Sequence, residues 1–380
     1  MSGRVGDLSE KQQAALDEFK RVCSDLLTEE WHDDHFCLRW LRARSFNTEA
    51  AKTMLEKSVD FRRRYRLDHI LTEFKPNVAI QKIFPGGCCG FDREGGCVMV
   101  YPLQNIFPKY FLEMTRRSQV IKMLMYRMEL TIPLLRSQSK KYGRNIEAHT
   151  IIFDVDKFDI MHNISTVAIS VFMELVGTYE ANYPENLAHA IIINAPPIFY
   201  LFFNLLKPLL NGTTLAKVKI YGKDPAEWKP ALLEIVEPSN LPVRYGGNRV
   251  GPNSDPDCEH EIVYVRKLNS EIVRELQKLI PEEDRMHQVT VGRRSQSVVP
   301  MEVSEIGAGL HVEFESECHD IAFALLRYTP GKGSYQSSVQ CTPFSPMCLC
   351  GVQRNSQAKW SSQLAFSCSC SSCEGCSSHE

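Results

Sequence analysis

The chain has no apolar run long enough to span a bilayer, no excess of basic charge and none of the short motifs that mark common enzyme classes. Its 380 residues carry 44 basic and 46 acidic side chains, and 43% of them are hydrophobic, which is ordinary for a globular protein. The near-neutral charge argues against a nucleic-acid partner. The sequence holds neither a Gly-x-Ser-x-Gly nucleophile elbow nor a glycine-rich phosphate loop ending in Gly-Lys-Ser/Thr. We therefore expect a non-catalytic globular protein that needs no cofactor.

The N-terminus and the cysteines bear on the cellular compartment. Residues 1–20 are polar and amphipathic, so we expect no secretory signal and a cytosolic protein with reduced cysteines. Half of the fourteen cysteines lie after residue 340 in a Ser-rich segment, which marks a boundary near residues 331–333. The last four could bind a metal through thiolates, but without a second knuckle or a histidine pair their spacing is a weak zinc signature. We expect no metal and a disordered tail at Cys368, Cys370, Cys373 and Cys376.

One short segment, from Ile198 to Leu210, is far more apolar than the rest of the chain. Ten of its thirteen residues are large and apolar, and it directly follows the Pro196-Pro197 pair. At about 1.5–3 kcal/mol for each large side chain, leaving the segment in water would cost on the order of 10 kcal/mol or more. The segment must therefore face a protein core, a hydrophobic ligand or a membrane surface.

Hydrophobic periodicity predicts an N-terminal helical region over residues 1–75 and an α/β domain over residues 76–250. A capping box at Ser9 and Gln12 precedes the first helical pattern, and arginines follow on other helix faces. We expect each arginine to be solvent-exposed, and the group to attract anionic headgroups at about 1 kcal/mol per basic residue. From Phe84 onward, strands with continuous apolar runs alternate with helices, which is typical of a sheet covered by helices.

Beyond about Glu259 the apolar residues recur with a period of two, which is typical of β-structure. The pattern extends to Tyr328 and supplies too few strands for a free-standing sandwich, which usually has about seven. We therefore predict an incomplete β-segment over residues 260–331, followed by the Cys/Ser-rich tail over residues 332–380.

Two sets of charged residues are candidates for chemistry. Asp154 and Asp156 end an apolar strand, where paired carboxylates can hold Mg²⁺ and present a nucleophile, as in aspartyl phosphatases of the haloacid dehalogenase type. Such enzymes also have a Thr or Val where this chain has Phe158, and a later acidic pair on a strand end is missing. Glu185 and Lys217 lie beside very apolar runs. They are either paired or solvent-facing charges, or the polar mouth of an apolar pocket.

Four stretches of the sequence resemble the CRAL-TRIO lipid-binding family, in its secretory-pathway branch that transfers phosphatidylinositol and phosphatidylcholine. The order and spacing of the stretches match, and the resemblance covers roughly residues 7–250. The start of the chain and the β-segment are similar to an animal subgroup, the supernatant protein factor or tocopherol-associated group, whose members end in a GOLD domain. The stretches are Asp34–Phe46, Asn182–Leu187, Ile193–Phe199 continuing to Lys207–Leu210, and Leu241–Gly247.

The resemblance implies a role for the apolar segment and for three charged residues. In this family the segment is a gate helix over a cavity that encloses one hydrophobic lipid, and opening is expected only against a membrane. The resemblance places Glu185 and Lys217 at headgroup-binding positions, and Arg244 could pair with a phosphate. Hydroxyl residues of relatives on the preceding strand are replaced here by His149 and Ile151. The gate and cavity residues are Ile198, Phe199, Leu201, Phe202, Phe203, Leu205, Leu206 and Leu209.

The sequence thus predicts an α/β lipid-binding protein with a helical N-terminal cap, an apolar gate helix and a partial GOLD-like β-sandwich. Its expected function is the binding and intermembrane transfer or presentation of one lipid of the phosphatidylinositol, phosphatidylcholine, tocopherol or squalene type. We expect transient contact of a cytoplasmic protein with membranes. Two alternatives stay open: a lipid-sensing adaptor that recruits a trafficking protein partner, and a Mg²⁺-dependent phosphatase that uses Asp154 and Asp156.

Overall fold

The computed structural model describes residues 1–106, 115–158 and 166–281, then residues 289–290 and 295–303 and five strands between residues 310 and 367. The chain divides into two compact units, Met1–Arg285 and Met286–Glu380. Among the helices in the described stretches, none has both the length and the apolarity that a membrane crossing requires.

The first unit contains eleven described α-helices and a five-stranded sheet. The helices are α1 (Glu10–Val22), α2 (Asp34–Ala43), α3 (Thr48–Tyr65), α4 (Ile70–Glu73), α5 (Val78–Ile83), α6 (Arg117–Tyr142), α7 (Thr166–Asn182), α8 (Phe199–Leu206), α9 (Gly212–Ala216), α10 (Pro225–Ile235) and α11 (Ser270–Lys278). The strands are β1 (Gly87–Phe91), β2 (Cys97–Pro102), β3 (His149–Asp154), β4 (Leu187–Ile193) and β5 (Val218–Ile220). Short 3-10 helices cover Leu67–His69, Lys207–Leu209, Pro238–Asn240, Val243–Tyr245 and Pro252–Ser254.

The first three helices form the predicted N-terminal bundle. Helix α1 begins at the expected capping box, in which the Gln12 backbone N–H donates to Ser9 Oγ and the Ser9 backbone N–H donates to Gln12 Oε1. Phe19, Leu41 and Leu55 from the three helices are buried together in one apolar cluster. The helical spacing of the apolar residues therefore correctly predicted both the helices and their common core.

The sheet has the strand order β1-β2-β3-β4-β5, with β1 antiparallel to β2 and the other neighbours parallel. Ile152 of β3 lies opposite Val100 on one side and Ile191 on the other. All three side chains are fully buried beside Trp228 of α10. Both faces of the sheet are covered, which explains the continuous apolar runs of its central strands. The predicted α/β fold is confirmed.

Helix α6 continues through Pro133 without a break. Proline removes one hydrogen bond of the helix and strains the turn before it. Met125 and Met128 before the proline and Leu135 after it are all buried. Tertiary packing on both sides of Pro133 therefore keeps the helix in one piece.

The second unit begins at Met286, about 25 residues later than the start predicted at residue 260. Helix α11 and the segment before it pack into the first unit because their apolar side chains complete its core. The buried residues are Ile262, Val265, Val273, Leu276 and Ile280. The period-two pattern after Glu259 therefore did not locate the start of the second unit.

The second unit consists of antiparallel strands in two sheets, with the orders β6-β11-β8-β9 and β10-β7. Three of its strands lie after residue 331, in the segment for which the sequence predicts a disordered tail. Strand β11 pairs with both β6 and β8, so partners distant in sequence supply its backbone hydrogen bonds. The last four cysteines and the boundary at residues 331–333 lie outside the described residues. The strands are β6 (Gln296–Val303), β7 (Leu310–Glu315), β8 (Ala322–Tyr328), β9 (Tyr335–Cys341), β10 (Met347–Val352) and β11 (Trp360–Ser367).

Candidate functional site

Glu185 and Lys217 lie together at the end of the sheet where β4 and β5 begin. Each residue precedes one of these two strands, which run parallel with Ala190 opposite Val218. Lys217 Nζ is 3.7 Å from Glu185 Oε2, and the Glu185 side chain is only 7% exposed. The structure thus joins two residues that the sequence singled out 32 positions apart.

The backbone of Glu185 adopts an uncommon conformation that holds the carboxylate in place. Its φ of +60° lies in the left-handed region, which residues other than glycine rarely adopt. The turn is closed by hydrogen bonds from the Tyr183 N–H to the Tyr179 carbonyl and from the Asn186 N–H to the Tyr183 carbonyl. Strain of this kind persists where the surrounding structure fixes the residue, and it is often found at functional sites.

Two arginines of α2 extend this cluster from the N-terminal bundle. Arg42 Nε lies 3.7 Å from Glu185 Oε2, and its Nη2 donates to Glu147 Oε1 at 2.8 Å. Arg39 Nη1 donates to the side-chain oxygen of Asn186. Both arginines are largely buried, whereas the sequence predicts solvent-exposed side chains. The spacing of three between Arg39 and Arg42 could have indicated that the two side chains contact a common neighbour, because residues three apart lie on the same face of a helix.

The cluster carries more positive than negative charge. Arg39, Arg42 and Lys217 face the two carboxylates of Glu147 and Glu185. A further cation, on Arg4, lies 3.4 Å from Glu147. With Glu180 of α7, which also interacts with Lys217, four cations face three carboxylates. This excess favours an anion such as a phosphate, which guanidinium and ammonium groups bind through charge-assisted hydrogen bonds.

Arg244 does not join this cluster. It lies near the opposite end of β3, with its Nε 3.8 Å from Asp154 Oδ2 and its Nη1 3.6 Å from Asp257 Oδ2. Its guanidinium also lies over the Tyr264 ring, 5.3 Å from the centroid. A strand of six residues spans roughly 16 Å or more, so Arg244 cannot share a phosphate with Lys217. Its two carboxylate partners give it a structural role.

Asp154 is a structural carboxylate as well. It accepts hydrogen bonds from the Asn194 side chain at 2.7 Å and from the Asp156 backbone N–H at 3.0 Å, and Arg244 neutralises it. The described residues contain no group of three or more His, Cys, Asp or Glu side chains placed to hold a metal ion. The hydrogen bonds and the ion pair of Asp154 therefore support a structural role for this carboxylate.

The predicted gate segment forms helix α8 and the following 3-10 helix, and one of its faces is buried. Phe199, Phe202 and Phe203 pack with Ile192 of β4 and with Phe158 in one apolar cluster. The Phe202 ring makes an edge contact with Phe172 of α7, with centroids 5.3 Å apart. Aromatic contacts of this geometry add to the burial of their apolar area.

The other face of α8 is apolar and exposed. Leu201 is 66% exposed and Leu205 is 46% exposed, and both follow Ile198 at helical spacing. Leu206 and Leu209 are partly buried. A helix on the surface of a soluble protein usually places polar residues on its outer face. The exposed apolar stripe of α8 therefore indicates an interaction surface.

Both ends of the gate segment are held by hydrogen bonds from asparagine side chains. Asn194, in the left-handed region with φ of +60°, donates to Asp154 just before Pro196. Asn211, which caps α9, donates to Glu180 Oε2 of α7 at 2.7 Å. The segment between the two anchors is therefore a distinct unit with fixed ends.

His149 and Ile151 lie on the sheet face covered by α6 and α7. His149 is 1% exposed, and its Nε2 lies 3.1 Å from the Tyr179 hydroxyl of α7. Burial lowers the pKa of His149 to about 4, so the ring is neutral at physiological pH. No sequence pattern indicated the contact with Tyr179, which joins residues 30 positions apart.

Comparison with known proteins places this architecture in a family. Residues 82–247 match the CRAL/TRIO domain, and residues 15–57 match the CRAL/TRIO N-terminal domain. The Sec14 cytosolic factor of Schizosaccharomyces pombe is 31% identical over 274 residues, which cover 70% of this chain and 93% of that protein. The crystal structure of Sfh5 superposes with a TM-score of 0.54 at 15% identity, covering 71% of this chain and 97% of that one. This last likeness concerns the fold alone.

The chain belongs to the CRAL/TRIO family, in the secretory-pathway branch of that lipid-binding family, as its sequence predicted. Protein real-time of Aedes aegypti is also similar, at 27% identity over 246 residues, which cover 64% of this chain. The chain spans only 38% of the length of that relative. The assignment of residues 260–331 to a truncated GOLD-like domain stays a prediction.

Proposed function

We propose that this chain binds one hydrophobic lipid molecule and carries it between membranes, with the segment of α8 and the following 3-10 helix as the gate. The single observation that carries the proposal is the two-faced gate. Its phenylalanines pack on the protein, while Ile198, Leu201 and Leu205 remain exposed. Such a helix can exchange its protein contacts for membrane contacts at little cost, because each environment is apolar.

Carriage by a protein removes the main barrier to lipid exchange. Moving a chain of sixteen carbons through water costs about 13 kcal/mol, at ~0.8 kcal/mol for each CH₂ group. A protein cavity that encloses the acyl chain during transit eliminates most of this free-energy cost. The apolar outer stripe of the gate supports a transient membrane contact at the moment of opening, since a membrane interface can solvate Leu201 and Leu205.

We further propose that Lys217 and Glu185 hold the lipid headgroup at the start of β4 and β5. Their proximity and the excess of cations from α2 support a ligand with a phosphate group. Glu185 can accept hydrogen bonds from headgroup hydroxyls while it orients Lys217. This arrangement favours phosphatidylinositol over a lipid with no headgroup.

The proposal is tested by following lipid transfer between vesicles. Donor vesicles carry fluorescent phosphatidylinositol or phosphatidylcholine with a quencher, and unlabelled acceptor vesicles are in excess. The chain should raise the transfer rate in proportion to its concentration, and the protein should remain free in solution between encounters. A rate equal to that of spontaneous exchange would overturn the carrier function.

A lipid-sensing adaptor remains the second candidate from the sequence. Among the described residues of the first unit no contact favours it over carriage, because the gate and the charged cluster serve either role. The two are separated by removing residues 286–380: an adaptor that recruits a trafficking partner through its second unit loses function, while a carrier retains transfer in vitro.

A further inference from the structure

The sheet face under α6 and α7 carries hydrogen-bonding groups that have no partner in the described part of the protein. His149 Nδ1 and the Tyr101 hydroxyl are both buried, and neither has a hydrogen-bond partner among the described residues. Tyr101 lies opposite Phe153 on the neighbouring strand, and the two rings stack 5.6 Å apart. On β3, Ile151 separates Phe153 from His149, so both unpaired groups belong to one apolar face.

An unpaired polar group in such a place is a departure from the usual rule. Buried nitrogen and oxygen atoms nearly always find a partner, and leaving one unpaired carries the full penalty of its desolvation. The position of the His149 ring is set by its Nε2, which lies 3.1 Å from the Tyr179 hydroxyl. The ring cannot turn to satisfy Nδ1 without losing the bond to Tyr179.

The protonation state of the ring limits what Nδ1 can bind. A neutral imidazole has one nitrogen that donates and one that accepts, so Nδ1 is a donor when Nε2 accepts from Tyr179 and an acceptor when Nε2 donates to it. A hydroxyl group can both donate and accept, and it satisfies Nδ1 in either tautomer. An ionised phosphate satisfies only one tautomer, and its cationic partners lie on α2 and at Lys217 instead.

We propose that His149 Nδ1 is a binding site for an uncharged hydroxyl group of the lipid, deep on the face covered by α6 and α7. The inference rests on the proposed carrier function, and it adds the chemical class of the ligand. The hydroxyl belongs either to a polyol headgroup or to a lipid whose sole polar group is a hydroxyl, such as a tocopherol or a sterol. Tyr101, on the same face, offers a second hydroxyl to such a ligand.

The experiment compares two lipid pairs that differ in hydroxyl groups. The first pair is α-tocopherol and its analogue with hydrogen in place of the hydroxyl. The second is phosphatidylinositol and phosphatidylethanol, which share the charge of the phosphodiester but differ in the headgroup hydroxyls. Equilibrium binding to the full chain is measured for the wild type, for His149→Phe and for the control His189→Phe. His189 is a half-buried histidine on β4 next to Ala190, so it faces the opposite side of the sheet.

We expect the wild type and His189→Phe to bind the hydroxyl member of one pair more tightly, and His149→Phe to show that preference reduced about tenfold. Loss of the preference in the tocopherol pair assigns the hydroxyl to a headgroup-less lipid, and loss in the phosphatidylinositol pair assigns it to a polyol headgroup. Equal binding by the wild type in both pairs, or a preference that is undiminished in His149→Phe, overturns the inference but leaves the carrier function standing. Failure of all four lipids to bind the wild type overturns the carrier function itself.

A second measurement covers the case in which His149→Phe does not fold. The ¹⁵N resonances of labelled histidines in the wild-type chain are recorded with and without α-tocopherol and phosphatidylinositol. A new hydrogen bond at Nδ1 should shift the His149 resonance with one of these lipids. An unchanged resonance with both lipids bound would contradict the inference.

Discussion

Lys217 Nζ and Arg42 Nε both lie 3.7 Å from the same oxygen of Glu185. The carboxylate therefore joins the beginning of β5 to helix α2 of the N-terminal bundle. A headgroup that binds Lys217 at this point would contact the bundle and the sheet at once. The N-terminal helices thus contribute directly to the candidate site.

Replacing Lys217 by alanine should weaken phosphatidylinositol binding at least tenfold, because a charge-assisted hydrogen bond contributes about 1.5–3 kcal/mol. Binding of squalene, which has no headgroup, should not change. Lys219→Ala is the matched control, since Lys219 is an exposed lysine on the same strand, opposite Ile191 of β4. Equal losses for both lipids would show that Lys217 supports the fold and does not select the headgroup.

Leu201→Asp should abolish vesicle-to-vesicle transfer while leaving the free energy of unfolding within about 0.5 kcal/mol of the wild type. Leu201 is exposed in the closed protein, so a charge there opposes only the membrane contact. Asn204→Asp puts the same charge at an exposed polar position of α8 and should transfer lipid normally. Normal lipid transfer by Leu201→Asp would show that the exposed apolar face of α8 is not needed for the membrane contact.

Stability should fall in acid because of His149. Burial lowers its pKa from 6.5 to about 4, so between these pH values the unfolded chain binds a proton that the folded chain does not. The free energy of unfolding should therefore decrease as the pH falls through this window, by about 3 kcal/mol in total. Urea unfolding at several pH values measures it. The difference between the wild type and His149→Phe isolates this contribution, and parallel pH curves for the two proteins would refute it.

Asp154→Ala should destabilise the protein by about 1–3 kcal/mol, since it leaves the Asn194 side chain without its acceptor and removes one of the two carboxylates beside Arg244. Asp156→Ala should change stability by less than about 0.5 kcal/mol, because Asp156 is partly exposed and its only ion pair, within the described residues, is a 4.0 Å contact with Lys157. Thermal unfolding measures both effects. Metal-dependent hydrolysis of a generic phosphate ester that both variants lose would instead support the phosphatase.

Removing residues 286–380 should leave lipid binding and the unfolding of the first unit unchanged. Removing residues 260–380 should unfold it, because Val265 and Leu276 are buried in its core. Circular dichroism of the two truncated chains distinguishes them. A folded shorter chain would mean that the predicted boundary at residue 260 is the right one.

Local patterns in the sequence were sufficient for much of the fold. The capping box at Ser9, the continuous apolar runs of β3 and β4 and the apolar composition of the segment Ile198–Leu210 each depend on neighbouring residues, so they can be recognised in the sequence alone. The end of the first unit could not be recognised in this way. Its last helix is short, and only its contacts with distant residues such as Ile80 and Ile83 show where it belongs.

The candidate site was predicted in part. The resemblance to a family pointed to Glu185 and Lys217, and the structure joins them in an ion pair. Arg42 was missed because its partners are more than 100 positions away, and a charged residue on a surface helix is usually solvated. Arg244 was grouped with Lys217 because residue type alone does not show at which end of a strand a side chain lies.

The most direct test of the carrier function is the lipid content of the purified full chain, measured by organic extraction and quantitative mass spectrometry after incubation with mixed vesicles. The account predicts one lipid molecule per chain, with a hydroxyl group and an apolar tail. A protein that is folded by circular dichroism but holds no lipid would contradict it.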